Sequence, residues 1–342
     1  MKPVAAVLAL AGLAATAGGW PQPAAAATSC TASATPLAFG TVSGASPVDT
    51  AATVTVSCST FGVTLLSVIR LRMCLNIGAG TAGEGRHAPR QLVNPHGDRL
   101  AFQIYRDPAR SQVWGDSASA EAPIPLETTF EYTVLVLGGA NTLTLPMYGR
   151  IPAQSGLAAG SYANAFTGAH TRLDYRYNEP ILGAPPFPAS CTGGGTGGGS
   201  ITFPFSAQAA VPHRCTLSSA TDLAFGTVAG RVAQPVDQAS TLTFTCTGRT
   251  PWNVALDTGL YASGGTRRMR REGGGEHYVA YELYRDPART LRWGAVPGSD
   301  TATGTGTGTG GAQSVTVYGR VPAIQVVPAG DYRDTVTVTV SY

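Results

Sequence analysis

The chain has 342 residues, a formal net charge of +3 and only 13% charged residues, about half the globular norm. That length allows two domains of ordinary size. That charge excludes bulk electrostatic attraction to nucleic acid or to an acidic membrane as the basis of function.

Residues 1–27 read as a secretory signal: Lys2, then the apolar run Val4 to Ala17, then the small residues Ala24 to Ala27. Gly18, Gly19, Pro21 and Pro23 end the run too early for a membrane span, and no later apolar stretch is long enough to cross a bilayer. The mature chain is expected to be exported and soluble. Its six cysteines suit an oxidising compartment.

The mature chain is one module written twice. Leu37-Ala38-Phe39-Gly40-Thr41-Val42 returns as Leu223-Ala224-Phe225-Gly226-Thr227-Val228. Tyr105 to Arg110 recurs unchanged at Tyr284 to Arg289, and Trp114-Gly115 recurs as Trp293-Gly294. Tyr148-Gly149-Arg150-Ile151-Pro152-Ala153 matches Tyr318-Gly319-Arg320-Val321-Pro322-Ala323, and Gly160-Ser161-Tyr162 matches Gly330-Asp331-Tyr332. Cys30 and Cys58 are 28 apart, Cys215 and Cys246 31 apart. Equivalent positions therefore imply Cys30–Cys58 and Cys215–Cys246 bonds, which leave Cys74 for Cys191. Short alternating strands such as Thr53–Ser57, Leu242–Thr245 and Val336–Val340 are punctuated by Gly and Pro, and helical periodicity is nearly absent. The predicted fold is all-β: two tandem immunoglobulin-like sandwiches over 28–190 and 212–342.

The copies differ in three ways. Counting from Cys58 to Gly78 and from Cys246 to Gly259 gives the first copy seven extra residues, within Phe61 to Met73. The first copy also carries apolar loop material that the second lacks: Ile124 and Leu126 in one loop, and Ile181, Leu182 and Phe187 in another. These are candidate contact loops, because prolines stiffen both and exposed apolar tips meet a surface at little ordering cost. The second copy ends on a strand whose inward face is Val336, Val338, Val340 and Tyr342.

Between the copies, a glycine run leads through 191–199 into Ser200–Val211. Here Ile201, Phe203, Phe205, Ala207 and Ala209 alternate with Thr202, Pro204, Ser206 and Gln208, the period of a half-buried strand. A strand with one apolar face and flexible flanks must bury that face in something. One option is an ordinary strand of the second domain.

These repeated residues resemble the spore coat protein U domain: a Cys followed by Phe-Gly, a second Cys ending a strand, Tyr-x-Asp, Trp-Gly, Tyr-Gly-Arg-x-Pro and a terminal Gly-x-Tyr-x-Asp strand. The resemblance covers about 30–188 and 215–342 and departs at Asn164, where the motif has Asp. It implies pilin-type sandwiches that lack a final strand and receive it from a neighbour, as in archaic, Csu-type chaperone–usher pili. On that pattern 191–211 is a linker plus a donor strand that completes the first domain. The second domain then accepts a strand and has none to give, the position of a tip subunit. The implied partners are a periplasmic pilus chaperone, an outer-membrane usher, an adjacent pilin subunit, and the abiotic or host surface to which a biofilm attaches. The implied route runs through the periplasm to the pilus tip at the cell surface. A secreted coat protein assembled without an usher is the alternative.

Catalytic signals are weak. Gly78-Ala79-Gly80-Thr81-Ala82-Gly83 fits a dinucleotide fingerprint, but Pro89 and Pro95 come next instead of a helix. His87, His96, His170, His213 and His277 have no metal-ligand spacing. Asp107 and Asp286 read as turn-forming residues, and the cluster Arg267, Arg268, Arg270 and Arg271 as a solvated loop. No enzyme, cofactor or metal is expected.

Overall fold

The computed structural model describes residues 27–62, 66–308 and 310–342. Apart from Ala27, the signal reading lies outside these residues.

Two β-sandwiches stand in tandem along the chain. The first comprises β1 (Ala27–Ala34), β2 (Leu37–Thr41), β3 (Val48–Phe61), β4 (Ser67–Ile77), β5 (Arg90–Val93), β6 (Arg99–Tyr105), β7 (Leu126–Val134), β8 (Gly138–Ile151), β9 (Gly160–Phe166), β10 (Thr171–Asn178), β11 (Gly197–Thr202) and β12 (Phe205–Val211). Its sheets have the orders β1-β3-β8-β6-β5-β9-β12-β2 and β11-β10-β4-β7. The second comprises β13 (Cys215–Ala220), β14 (Val236–Cys246), β15 (Pro251–Leu256), β16 (Arg267–Arg271), β17 (Tyr278–Tyr284), β18 (Ala302–Thr305), β19 (Gln313–Val321), β20 (Tyr332–Arg333) and β21 (Val338–Ser341). Its sheets run β13-β14-β19-β17-β16-β20 and β18-β15-β21.

Period-two patterning builds each core. In β3, Ala52, Val54, Val56 and Cys58 face inward while Ser57 and Ser59 face water. Phe102 sits edge-on to both Phe39 and Phe166, an arrangement favoured by aromatic quadrupoles. Cys30–Cys58 joins directly paired residues of β1 and β3, Cys215–Cys246 does the same for β13 and β14, and Cys74–Cys191 ties β4 to the segment before β11.

Equivalent hydrogen bonds fix how the two copies superpose. The Trp114 indole donates to the Leu75 carbonyl and the Trp293 indole to that of Val254. Arg90 donates to the carbonyls of Ile77 and Gly78, and Arg267 to those of Leu256 and Asp257. Leu75 therefore matches Val254, 17 residues after Cys58 against eight after Cys246. The insertion is nine residues, not seven: Gly78 matches Asp257, and Gly259 matches Gly80. These residues lengthen the β3–β4 end of the first sandwich.

The sandwiches stack end to end. Three residues, Pro212 to Arg214, separate β12 from β13. The Ala159 amide donates to the Gly248 carbonyl, and the Gly248 amide to that of Leu157, each at 2.8 Å. Arg249 pairs with Asp98 across the junction at 2.5 Å.

Candidate functional site

The Ile201–Val211 strand belongs entirely to the first sandwich and closes both of its sheets. β11 pairs antiparallel with β10, placing Ile201 beside Leu173. The Phe203 amide still bonds the Thr171 carbonyl, and then the chain steps across at Pro204, which has no N–H to leave unpaired. β12 enters the other sheet between β9 and β2, antiparallel to β9 from Phe205↔Phe166 to Val211↔Gly160 and parallel to β2. Phe203, Phe205, Ala207, Ala209 and Val211 are buried, Ile201 is half-buried, and Phe205 stacks on Phe166 with ring centroids 4.5 Å apart. An ordinary strand of the second domain is thereby overturned: Ile201–Val211 shares no sheet with β13–β21.

In the second sandwich the same place is open. β20 stands where β9 stands and β21 where β10 stands, yet among the described residues no strand lies beside either in the position of β12 or β11. The consequences appear residue by residue. Leu37 and Phe39 are buried, whereas Leu223 and Phe225 are half-buried. Val42 is fully buried and Val228 is 41% exposed. Tyr162 and Tyr332 each donate to the carbonyl four residues back, but only Tyr162 is buried. Val336, Val338 and Val340 are half-buried, and Tyr342 is exposed where its counterpart Tyr175 is buried. Backbone groups need partners, so Leu37–Thr41 forms a strand against β12, while Leu223–Thr227, with the same sequence, forms none.

The end of the first sandwich away from the second carries an apolar patch that the sequence only partly disclosed. Val136 and Leu137 are the central residues of the β7–β8 hairpin, closed by mutual Leu135–Gly138 backbone bonds. Hairpin turns ordinarily take Gly, Asn or Asp; here Leu135, Val136 and Leu137 are all exposed, Leu137 to 74%. Phe61, 83% exposed, pairs with Gly138 at the same end. Leu66 and the exposed Ile181 and Leu182 join them, because Gly183 bridges Ser67, which faces Val134. Phe187 is half-buried, with the Arg70 guanidinium 5.0 Å over its ring. Ile124 is exposed, but Leu126 pairs with Leu75, eight positions along β4 from Ser67. At about 3.3 Å per residue, Ile124 lies roughly 26 Å from the Ile181–Leu182 tip, while the Phe187–Pro188 end of that loop runs back along β4 to Arg70 and Arg72. Ile124 and the Ile181–Leu182 tip therefore form no common surface.

Residues weighed for chemistry are structural. The Asn164 amide donates to the Ala79 and Gln91 carbonyls and accepts the Ala82 amide, locking the Gly78–Gly83 turn. A Cβ at Gly80, whose φ is +77°, would collide with that side chain. Asp334 serves the equivalent turn and accepts the Tyr281 hydroxyl at 2.7 Å; burial, reinforced by this carboxylate, pushes the phenol well above its ordinary range. Phe102 occupies the Tyr281 position in the first copy, so no hydroxyl there calls for a carboxylate. Asp107 and Asp286 accept backbone amides within their own loops; partial desolvation opposes those bonds, yet both carboxyls stay below their ordinary range. The basic cluster is strand β16 rather than a solvated loop: Arg267 is buried on Glu282, and Arg268 stacks 4.2 Å from Tyr278. Among the described residues no three His, Cys, Asp or Glu side chains could hold a metal, and no helix is long and apolar enough to cross a membrane.

The model of the Spore Coat Protein U domain family matches residues 21–169 and 201–339, most of the chain. The chain belongs to that family. Spore coat protein U domains are structural rather than enzymatic. Protein U of Myxococcus xanthus is 34% identical over 107 residues, 30% of this chain, and the chain spans 58% of that protein's length. Among solved structures, the CsuC–CsuE chaperone–tip adhesion subunit pre-assembly complex of Acinetobacter baumannii Csu pili contains a similar chain. It is 18% identical, with coverage of 92% of this chain and 100% of that one and a TM-score of 0.44. The CupB6 tip adhesin of Pseudomonas aeruginosa is 10% identical over 91% of this chain and 93% of its own, with a TM-score of 0.29.

Proposed function

We propose that the chain is the tip adhesin of an archaic chaperone–usher pilus. The observation that carries this reading is the pair of grooves: one module, present twice, is closed by Ile201–Val211 in the first copy and open at the same place in the second. An open groove beside an unpaired strand edge is a template for strand addition and, left uncovered, for aggregation. A periplasmic chaperone covers it first, and at the outer-membrane usher a pilin's N-terminal strand replaces the chaperone. The first sandwich, already complete, takes no strand and leads the fibre. The linker and donor strand span 191–211, between an adhesive unit at 28–190 and a pilin unit at 212–342.

Adhesion falls to the apolar end. Phe61, Leu135, Val136, Leu137, Ile181 and Leu182 are exposed at the pole opposite the fibre, and contiguous apolar patches on exported proteins mark contact sites. Such a patch favours abiotic and other apolar surfaces and supports biofilm formation. The test replaces Val136 and Leu137, and separately Ile181 and Leu182, with Ser. Pili are counted by electron microscopy and attachment to polystyrene is measured. Attachment is expected to fall severalfold with piliation intact; wild-type attachment by both variants rejects the adhesive role.

A further inference from the structure

The pole of the second sandwich farthest from the first carries its own apolar knuckle, and this belongs to neither groove. Ile324 is 82% and Val326 78% exposed. Ile324 adopts a φ of +65°, a left-handed backbone that β-branched residues almost never take. The strain is clamped from both sides. The Ile324 amide donates to the Val232 carbonyl at 2.7 Å, and the Val232 amide to that of Gln325 at 3.0 Å. The Gln325 side chain bonds both backbone groups of Ala280, at 2.7 and 3.0 Å. Clamped strain of this kind concentrates at functional sites. Neither side chain contributes to the second core.

The duplication shows what occupies this place. In the first copy the same turn, after Tyr148-Gly149-Arg150-Ile151-Pro152-Ala153, is the seat of the second sandwich: Leu157 and Ala159 bond Gly248 there. A Cβ at Gly156 would come within 3.0 Å of the Gly308 carbonyl, and one at Gly310 within 3.6 Å of the Ser155 side chain. The strand β12 leaves its groove beside Gly160, and the second sandwich begins after only Pro212, His213 and Arg214. A strand that filled the second groove in the same sense would leave beside Gly330, next to Val326. The sandwich attached to that strand would arrive against the knuckle.

We infer that Ile324 and Val326 form the seat for the body of the pilin subunit whose N-terminal strand fills the second groove. This rests on the pilus reading above. The partner surface is the end of the incoming sandwich that corresponds to Thr247–Arg249. The contact locks the joint between tip and fibre by side-chain packing, independently of strand pairing.

The test uses the full chain as the complex with its chaperone. One probe is the intact pilin that co-assembles with it; the other is a synthetic peptide of that pilin's residues before its first cysteine. Ile324→Asp/Val326→Asp should form the chaperone complex and take the peptide as wild type does. Its complex with intact pilin should dissociate about tenfold or more faster, the scale of losing an interface hot spot. Ile324→Gly should also speed pilin release while leaving the melting temperature of the chain unchanged or higher, because glycine relieves the φ strain. That opposition of signs separates a contact role from a structural one. If the wild type takes both probes and the variants release pilin at the wild-type rate, the inference is overturned alone. Loss of chaperone binding, or loss of a wild-type self-association in the Asp variant, assigns the knuckle to another occupant and also overturns it. If the wild type takes neither probe, the pilus reading falls, and this inference with it.

Discussion

Phe203 anchors the strand that closes the first sandwich. Its side chain is wholly buried at the point where the strand passes from one sheet to the other. Truncation of a buried Phe to Ala costs about 3–5 kcal/mol through lost transfer energy and the cavity left behind. In a domain of this size each kcal/mol moves the midpoint by about 2–4 °C, so Phe203→Ala should lower the melting temperature by roughly 6–20 °C. Removing the whole strand is more severe. Burial of Phe203, Phe205 and Val211 is worth about 1.5–3 kcal/mol each, a sum comparable to a domain's entire net stability of about 5–15 kcal/mol. The ladders with β9, β2 and β10 are lost as well. A secreted, oxidised fragment 28–211 should therefore melt cooperatively by circular dichroism, and fragment 28–199 should not. Gln208→Ala, on the exposed face, should change nothing and serves as control. Equal midpoints for the two fragments, or a shift of less than about 2 °C for Phe203→Ala, would refute the reasoning.

The second sandwich should respond to a strand supplied from outside. Fusing Ser200–Val211 after Tyr342 through a short Gly linker should raise its midpoint and suppress its aggregation, and an unchanged, already monomeric and stable domain would exclude an open groove. Arg90→Leu should cost the first sandwich about 3 kcal/mol or more, because the buried carbonyls of Ile77, Gly78 and Trp114 lose their donor; denaturant titration measures it. Asp49 is held below the ordinary carboxylate range first by its hydrogen bond from Arg150 and then by the charges of Arg110 and Arg150, against partial desolvation. A depressed carboxyl stabilises above its unfolded pKa of about 3.9 and ceases to as pH falls through the folded value. Asp49→Asn should thus cost under about 1 kcal/mol at pH 7, given its partial exposure, and next to nothing at pH 2. Asp98→Asn should loosen the two sandwiches against each other in small-angle scattering while leaving each midpoint within about 2 °C.

Much of this was legible in the sequence because repetition and period-two alternation are robust signals. Tyr105–Arg110 and Tyr284–Arg289 match without a gap, and Ile201 to Ala209 alternate so cleanly that a single buried face is implied. The crossing at Phe203-Pro204 was not legible, because one alternating run reads as one strand in one sheet. The hairpin residues Leu135, Val136 and Leu137 were hidden for the opposite reason. They extend an apolar run from Val134, and such a run looks like core until the Leu135–Gly138 bonds show it turning. Counting between glycines misplaced the insertion by two residues, since Gly78 and Gly80 are equally plausible partners for Gly259 until Arg90 and Arg267 fix the register. The separation of Ile124 from Ile181 depends on position along β4, which residue type does not encode.

The two copies also settle why the grooves differ. Leu37-Ala38-Phe39-Gly40-Thr41-Val42 and Leu223-Ala224-Phe225-Gly226-Thr227-Val228 are identical but for the place each occupies. No difference in propensity can make the first a buried strand and the second a half-exposed segment. Tyr162 and Tyr332 even keep the same hydroxyl bond to the carbonyl four residues back. What differs is supply: β12 lies within reach of the first segment, and among the described residues no equivalent strand lies beside the second. The second segment's apolar residues and unpaired backbone groups carry the cost of exposure that a strand would remove. The free energy missing there is of the size that Ile201–Val211 contributes to the first sandwich. On the proposed pilus reading, a partner strand of the same pattern, with three large apolar residues as at Ile201, Phe203 and Phe205 followed by small ones as at Ala207 and Ala209, would remove that cost.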